Sequence, residues 1–416
     1  MTEIIQQMEH RKKSLHIKMP DGWKEKSLKD CCLIKGEYGI NAPAVEYSNK
    51  LPIYIRITDI DDDGNYSSLK KACVDDEASR DFLLKSGDIV FARTGATVGK
   101  TYLYNEKDGE LVFAGFLIRF RPDKNVLLPE YLKNFTATKL YWDWVKVVSM
   151  RSGQPGINAE EYGQLKLHLP LIPEQKAIAQ LLSTWDEAIA KAQALITQKE
   201  LRKKWLMQNL LTGKKRLKGF KEKWKEVHIS DIAHEVSLRN KEDQQFVVLS
   251  CTKYDGLVPS LEYFGRKIYA DDLSTYKIVP EKHFAYATNH IEEGSIGYQI
   301  FLKHALISPM YTVFKTNSLV DDLFFFKLLK SENMIGRYQA RMEGSIDRRG
   351  GLRWNAFSII KIHLPSLKEQ TAIAQVLQTA DKEIELLKVK LDKLKEQKKG
   401  LMQVLLTGKK RLNHEV

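Results

Sequence analysis

The chain has 416 residues, 43% of them hydrophobic and 29% charged, an ordinary globular composition with length for two or three domains. Lys and Arg number 66 against 53 Asp and Glu, a net charge of +13 that favours a polyanionic partner, most often nucleic acid. No apolar run approaches the roughly 18 residues of a membrane span, and four cysteines exclude a disulfide scaffold.

Within the N-terminal segment, residues 1–20, Met1 to Lys13 is charged throughout, without the apolar core of a signal peptide, and Cys31, Cys32, Cys73 and Cys251 have no metal-ligand spacing. A reducing cytoplasm is expected. Residues 21–167 read as a first globule. It opens on Trp23-Lys24-Glu25, and an apolar run from Ile53 to Ile60 leads to an Asp63-Gly64 turn. A strand-like run, Asp88 to Arg93, precedes a glycine loop, Gly95-Ala96-Thr97-Val98-Gly99, and a basic, Gly-rich stretch runs from Arg151 to Ala159. β-branched and aromatic runs bounded by Gly, Asp and Asn predict strands.

Residues 168–218 read as a long helix. Apolar residues recur at Ile178, Leu182, Trp185, Ile189, Ala192, Ile196, Leu206 and Leu210, in steps of four and three, with lysines at seam positions 199 and 203. Gly213 stops the helix, which from Glu174 to Thr212 would be about 55–60 Å long. Residues 219–362 form a second globule with the same landmarks in the same order: Trp224-Lys225-Glu226, the Asp255-Gly256 turn, the run His283 to Thr288, the loop Gly294-Ser295-Ile296-Gly297 and the stretch Arg348 to Ala356. Residues 363–416 return to helix, with a seam at Ile373, Leu377, Ala380, Ile384, Leu387, Leu391, Leu394, Leu401 and Leu405.

The two helical regions are copies. At an offset of 195, residues 168–217 align without a gap onto 363–412, with about half the positions identical. Leu210 to Leu217, Leu-Leu-Thr-Gly-Lys-Lys-Arg-Leu, recurs letter for letter as Leu405 to Leu412. One such helix alone would expose its apolar stripe; two of equal length most simply pack on each other. The basic runs Arg202 to Lys204 and Lys398-Lys399 read as solvated faces. The fold class is therefore α+β: two mixed α/β globules, each followed by a long helix.

Catalytic signatures are missing. Gly95 to Thr101 has three residues between its glycines where a P-loop needs four, and a strand follows it. Asp59-x-Asp61-x-Asp63-Gly64 opens like a calcium loop but has Lys70 at the position of the bidentate Glu, so an acidic turn is expected. His168 and His363 occupy equivalent strand-like positions and read as structural. No catalytic, metal or cofactor residue is assigned.

The repeat resembles the specificity (S) subunit of bacterial type I restriction-modification systems. Three sets of residues carry the likeness. They are Leu169-Pro170-Leu171-Ile172-Pro173-Glu174-Gln175 with its second copy Leu364 to Gln370, the two Leu-Leu-Thr-Gly-Lys-Lys-Arg-Leu helix ends, and Gly87 to Lys100. The second glycine loop departs from the pattern, lacking the Arg-Thr and Lys of the first. The resemblance implies two target-recognition domains, an antiparallel coiled coil with pseudo-two-fold symmetry, and no catalysis in this chain. It implies double-stranded DNA, two methyltransferase (M) subunits and restriction (R) subunits as partners, with adenosylmethionine, ATP and Mg on those partners. A methylation-only system without restriction, or a non-catalytic nucleic-acid-binding scaffold, is the alternative.

Base reading needs Arg, Lys, Asn, Gln, Ser or Thr at groove edges, while phosphates take Lys, Arg and backbone N–H groups. The candidates are Arg93, Thr94, Thr97, Lys100, Arg151, Ser152 and Gln154 in the first globule. In the second they are Thr288, Asn289, His290, Ser295, Tyr298, Arg348, Arg349 and Arg353.

Overall fold

The structure is a computed structural model that describes residues 20–150, 154–343 and 351–412. It divides into two compact units. The first takes in the chain to Gln193 together with everything from Lys390 onward; the second is Ala194–Val389. Each unit therefore contains one globule, the near half of the helix that follows it and the far half of the other helix.

The two globules are built on one plan. In the first, a four-stranded antiparallel sheet runs in the order Cys32–Tyr38, Leu117–Pro122, Ile89–Ala92, Thr101–Leu103. In the second, Ala233–Glu235, Tyr311–Thr316, His283–Ala287 and Ile296–Gln299 repeat that order. The central hairpins keep the same register, Ile89 opposite Leu103 and Phe284 opposite Tyr298. These strands read as apolar runs because both faces are covered: Ile89 to Ala92 and Phe284 to Ala287 are all buried. A two-stranded ribbon closes each globule at its base, Lys24–Ser27 with Lys166–Leu169 and Lys225–His228 with Lys361–Leu364.

The globules differ in what is added to this frame. The first carries a second four-stranded sheet, in which Ile53–Ile55 runs parallel to Leu111–Phe113. The second carries two two-stranded antiparallel sheets instead, the hairpin Leu249–Thr252 with Gly256–Pro259, and Lys277–Pro280 with His304–Ile307.

The long helices span Ile172–Leu210 and Leu367–Leu405, 39 residues each. The predicted seam is the buried side. On the second helix Ile384, Leu387, Leu391, Leu394 and Lys398 are the covered positions between residues 382 and 400, and every residue between them is exposed. Within each unit the helix segments run antiparallel, because residue numbers rise on one as they fall on the other. Lys398 pairs with Asp186 (2.5 Å) in the first unit, and Lys199, Lys203 and Glu200 pair with Glu383, Asp381 and Lys388 in the second. Lys203 and Lys398 are repeat-equivalent, as are Asp381 and Asp186. The basic runs are not solvated throughout, although Arg202 and Lys399 are exposed. Lys203 and Lys398 cross to the other helix, and Lys204 reaches Glu332 of the second globule at 2.8 Å.

The repeated Glu-Gln at each helix start has a defined task. Gln175 is fully buried; it accepts from the Leu128 N–H (2.9 Å) and donates to the carbonyls of Val126 and Pro170 (both 3.0 Å). Gln370 repeats all three bonds, with the Asp321 N–H, the Leu319 carbonyl and the Pro365 carbonyl. Its neighbour Glu369 is buried and takes a bidentate Arg216 (2.5 and 2.6 Å), while Glu174 takes Arg411 (3.1 and 2.7 Å). The glutamine ties the helix to its own globule, and the glutamate ties it to the Lys-Lys-Arg end of the other helix. Among the described residues, no helix is long and apolar enough to cross a membrane.

Candidate nucleic-acid interface

The glycine loop is the turn of each central hairpin, and main-chain bonds to a segment from much later in the globule hold it. In the first globule Ile157 donates to the Arg93 carbonyl (2.9 Å), Gly95 donates to the Pro155 carbonyl (3.1 Å), and Thr94 bridges Gly156. In the second, Leu352 donates to the Thr288 carbonyl (2.7 Å), and a Cβ at Gly351 would stand 2.5 Å from that same oxygen. Gly351 has φ +63, so only glycine both fits and adopts this backbone without strain.

Below the first loop, tyrosines clamp the hairpin. Tyr162 donates to the Ala92 carbonyl (2.7 Å) and accepts from the Gly99 N–H (3.2 Å), and Tyr141 donates to the Gly99 carbonyl (2.7 Å). Gly99 has φ +90, and a Cβ there would meet Val145 at 2.7 Å. Asp88, fully buried at the start of the strand, accepts two bonds from Arg121 and one from the Lys85 N–H. The loop stands on a rigid base.

A third segment docks on the hairpin in both halves. The turn around Gly64 meets the first residue of the strand after the loop: a Cβ at Gly64 would lie 2.8 Å from the Thr101 carbonyl. The turn around Gly256 does the same, and a Cβ at Gly297 would lie 2.5 Å from the Leu257 nitrogen. The Asp63-Gly64 and Asp255-Gly256 turns are therefore part of the same face. The first is acidic and self-capped: Asp61 Oδ1 accepts from the N–H groups of Asp63 and Asn65.

The structure brings together Arg93, Thr94, Thr97, Lys100 and Gln154 of the first globule; a Cβ on Gly95 would stand 3.2 Å from Gln154 Nε2. Arg93 lies over the Tyr38 ring, 4.8 Å from its centroid. Lys100 is already occupied: it donates to the Ile60 carbonyl (3.3 Å) and pairs with Asp62 (2.6 Å). The ammonium beside it pulls the Asp62 carboxyl below its usual range. In the second globule Thr288, Asn289 and His290 share the loop. Ser295 is only 6% exposed, and the Tyr298 hydroxyl is spent on Asp322 (2.6 Å) while its ring stacks on Phe284. Neither presents a free polar group to a partner. Arg353 immediately precedes the short helix Trp354–Ser358. Arg151, Ser152, Arg348 and Arg349 lie outside the described residues.

Sequence reasoning missed the apolar members of the face. The Arg93 N–H donates to the Phe116 carbonyl, and the Thr288 hydroxyl donates to the Met310 carbonyl, both at 3.0 Å. Phe116 and Met310 are 56% and 59% exposed. A large apolar side chain with no core to enter, beside a polar loop, is suited to a thymine methyl. Their signal, an exposed residue at a strand's start, exists only once the pairing is known.

Residues 20–199 and 221–396 both match the type I restriction modification DNA specificity domain. The chain belongs to that family. Two relatives from Methanocaldococcus jannaschii bear the names of the MjaX and MjaVIII type I restriction enzyme specificity subunits. They are 27% and 25% identical to it over 447 and 436 residues; 97% of this chain is covered in each case, with 97% and 96% of theirs. The fold is similar to the crystal structure of the HsdS subunit from Thermoanaerobacter tengcongensis, with a TM-score of 0.53, 16% identity and coverage of 94% and 98%. Family membership makes the two globules target-recognition domains and accounts for the second copy of the frame.

Proposed function

We propose that this chain is the DNA-reading, non-catalytic subunit of a cytoplasmic type I restriction-modification complex. Each globule reads one half of an asymmetric bipartite site in double-stranded DNA. The observation that carries this is a duplicated frame with diverged tips: the hairpin register and main-chain stitching repeat, while Arg93 gives way to Thr288 and an acidic turn to Lys253-Tyr254-Asp255. A frame repeated for geometry with side chains free to differ is what two independent base readers require. Two methyltransferase subunits dock on the helical regions and bring adenosylmethionine. Restriction subunits bring ATP and Mg. The helices set the length of unread DNA between the half-sites.

The test is exchange of residues 219–362 for the same segment of a relative, in cells that also supply the methyltransferase subunit. Sequencing of the methylated genome should show one half-site changed and the other kept. A motif altered in both halves, or in neither, removes the modular reading.

A further inference from the structure

We propose that Lys253 and Tyr254, at the tip of the second globule's Asp-Gly turn, form a separate DNA-contacting segment, Lys253 on a phosphate and the Tyr254 ring against the bases of the second half-site. The inference rests on the reading of the globules as DNA readers.

The turn lies against the glycine loop rather than apart from it. A Cβ on Gly294 would come within 3.8 Å of the Lys253 carbonyl, and one on Gly256 within 3.5 Å of the Gly297 Cα. Whatever approaches Thr288, Asn289 and His290 also meets the turn.

The backbone of the tip is fixed while its two side chains are left open. Thr252 Oγ1 accepts from the Asp255 N–H (2.9 Å), and the Tyr263 hydroxyl donates to Asp255 (2.9 Å). Lys330, reaching up from a helix of the same globule, donates to the Lys253 carbonyl (2.8 Å). Tyr254, by contrast, is 82% exposed. The Lys253 ammonium lies over the Tyr254 ring at 5.5 Å and forms no ion pair among the described residues. An ordered backbone presenting an uncompensated cation and an aromatic ring enters a complex with little ordering left to do.

The two globules also compensate each other. In the first, a half-buried Arg93 lies over the exposed Tyr38 ring on this face, and the turn is acidic. In the second, Thr288 stands where Arg93 would be, and the turn supplies Lys253 on Tyr254 instead. Each half thus offers one cation and one ring from a different segment, which suits a phosphate contact beside a base contact.

The experiment uses the complex reconstituted with its methyltransferase subunit, and duplexes carrying the site that genome methylation defines. Lys253→Ala should weaken binding to all sequences and lower the salt slope of log K by about one. Tyr254→Ala should lose about tenfold in affinity for the cognate second half-site and relax discrimination there, with the first half-site read as before. The thermal midpoint of either variant should stay put, since both side chains are exposed. If both variants keep affinity, salt slope and second-half discrimination while the exchange of residues 219–362 still changes that half-site, the assignment of the turn is wrong and the modular reading stands. If that exchange also leaves the motif unchanged, it is the DNA reading that fails. Loss of the methyltransferase subunit from the Tyr254→Ala complex, with DNA discrimination intact, would make the turn a protein interface and overturn the proposal.

Discussion

A single buried glutamine shows how much one residue can hold here. Gln370 satisfies an N–H on Asp321 and carbonyls on Leu319 and Pro365, all in places where water does not reach its side chain. Gln370→Leu keeps the volume and removes every partner, so the stranded groups should cost about 2–4 kcal/mol. The loss should appear in thermal unfolding and as faster amide exchange at Asp321, while the equivalent Leu128 in the other unit keeps its protection. A variant as stable as the parent would mean that the clip is incidental. The Glu-Gln signature was visible in the sequence, but its meaning was not, because two of the three partners of Gln370, Asp321 and Leu319, lie 49 and 51 residues upstream and only the fold brings them near. Candidate contact residues had the same limit. That Arg93 and Gln154 belong to one loop region was readable from type and neighbourhood. The occupied state of Lys100 and the burial of Ser295 depend on the turn at Asp62 and on the hairpin packing, which leave no mark on local pattern.

The helices were the most legible elements, since a seam in steps of four and three sustained over 39 residues specifies a helix that pairs along one face. What periodicity could not say was which polar seam residues meet. Asp381 receives Lys203 and Lys327, the latter at 2.5 Å. Burial pushes its carboxyl up, but the two ammonium groups outweigh burial and the net shift is below the ordinary 3.8. A depressed carboxyl stabilises the fold above its ordinary value, and that contribution is lost as the pH falls through the depressed one. Asp381→Asn should therefore lower stability at neutral pH and flatten the loss of stability below about pH 3.8. Parallel acid-unfolding profiles for the variant and the parent would show that the cluster contributes nothing. The same pairing accounts for residues that the repeat keeps in both copies. Asp186 and Asp381, Lys203 and Lys398, Glu174 and Glu369, and Arg216 and Arg411 are identical because each copy binds the other through them.

At the scale of the whole chain, antiparallel pairing fixes where length can be added. The repeat alone would place a second insertion 195 residues after the first, whereas the ion pairs oppose Glu200 to Lys388 and Lys199 to Glu383. A heptad inserted after Gln198 needs its partner after Leu386, not after Lys393. Seven residues preserve the seam and add about 10 Å, roughly three base pairs of DNA. The methylated motif should then keep both half-sites and gain a longer gap. An unchanged gap in an active variant would take the ruler away from the helices. The matched ends carry a further consequence, for inheritance. The gene encodes Leu-Leu-Thr-Gly-Lys-Lys-Arg-Leu twice, and a crossover between the two stretches stays in frame. It would delete one globule with one helix and leave a shorter chain whose glutamate and arginine clips both remain, each without its mate. Such a half-length product could meet those clips only by pairing with a second copy of itself, so the duplication that built the molecule is also a seam along which evolution can take it apart and reassemble it.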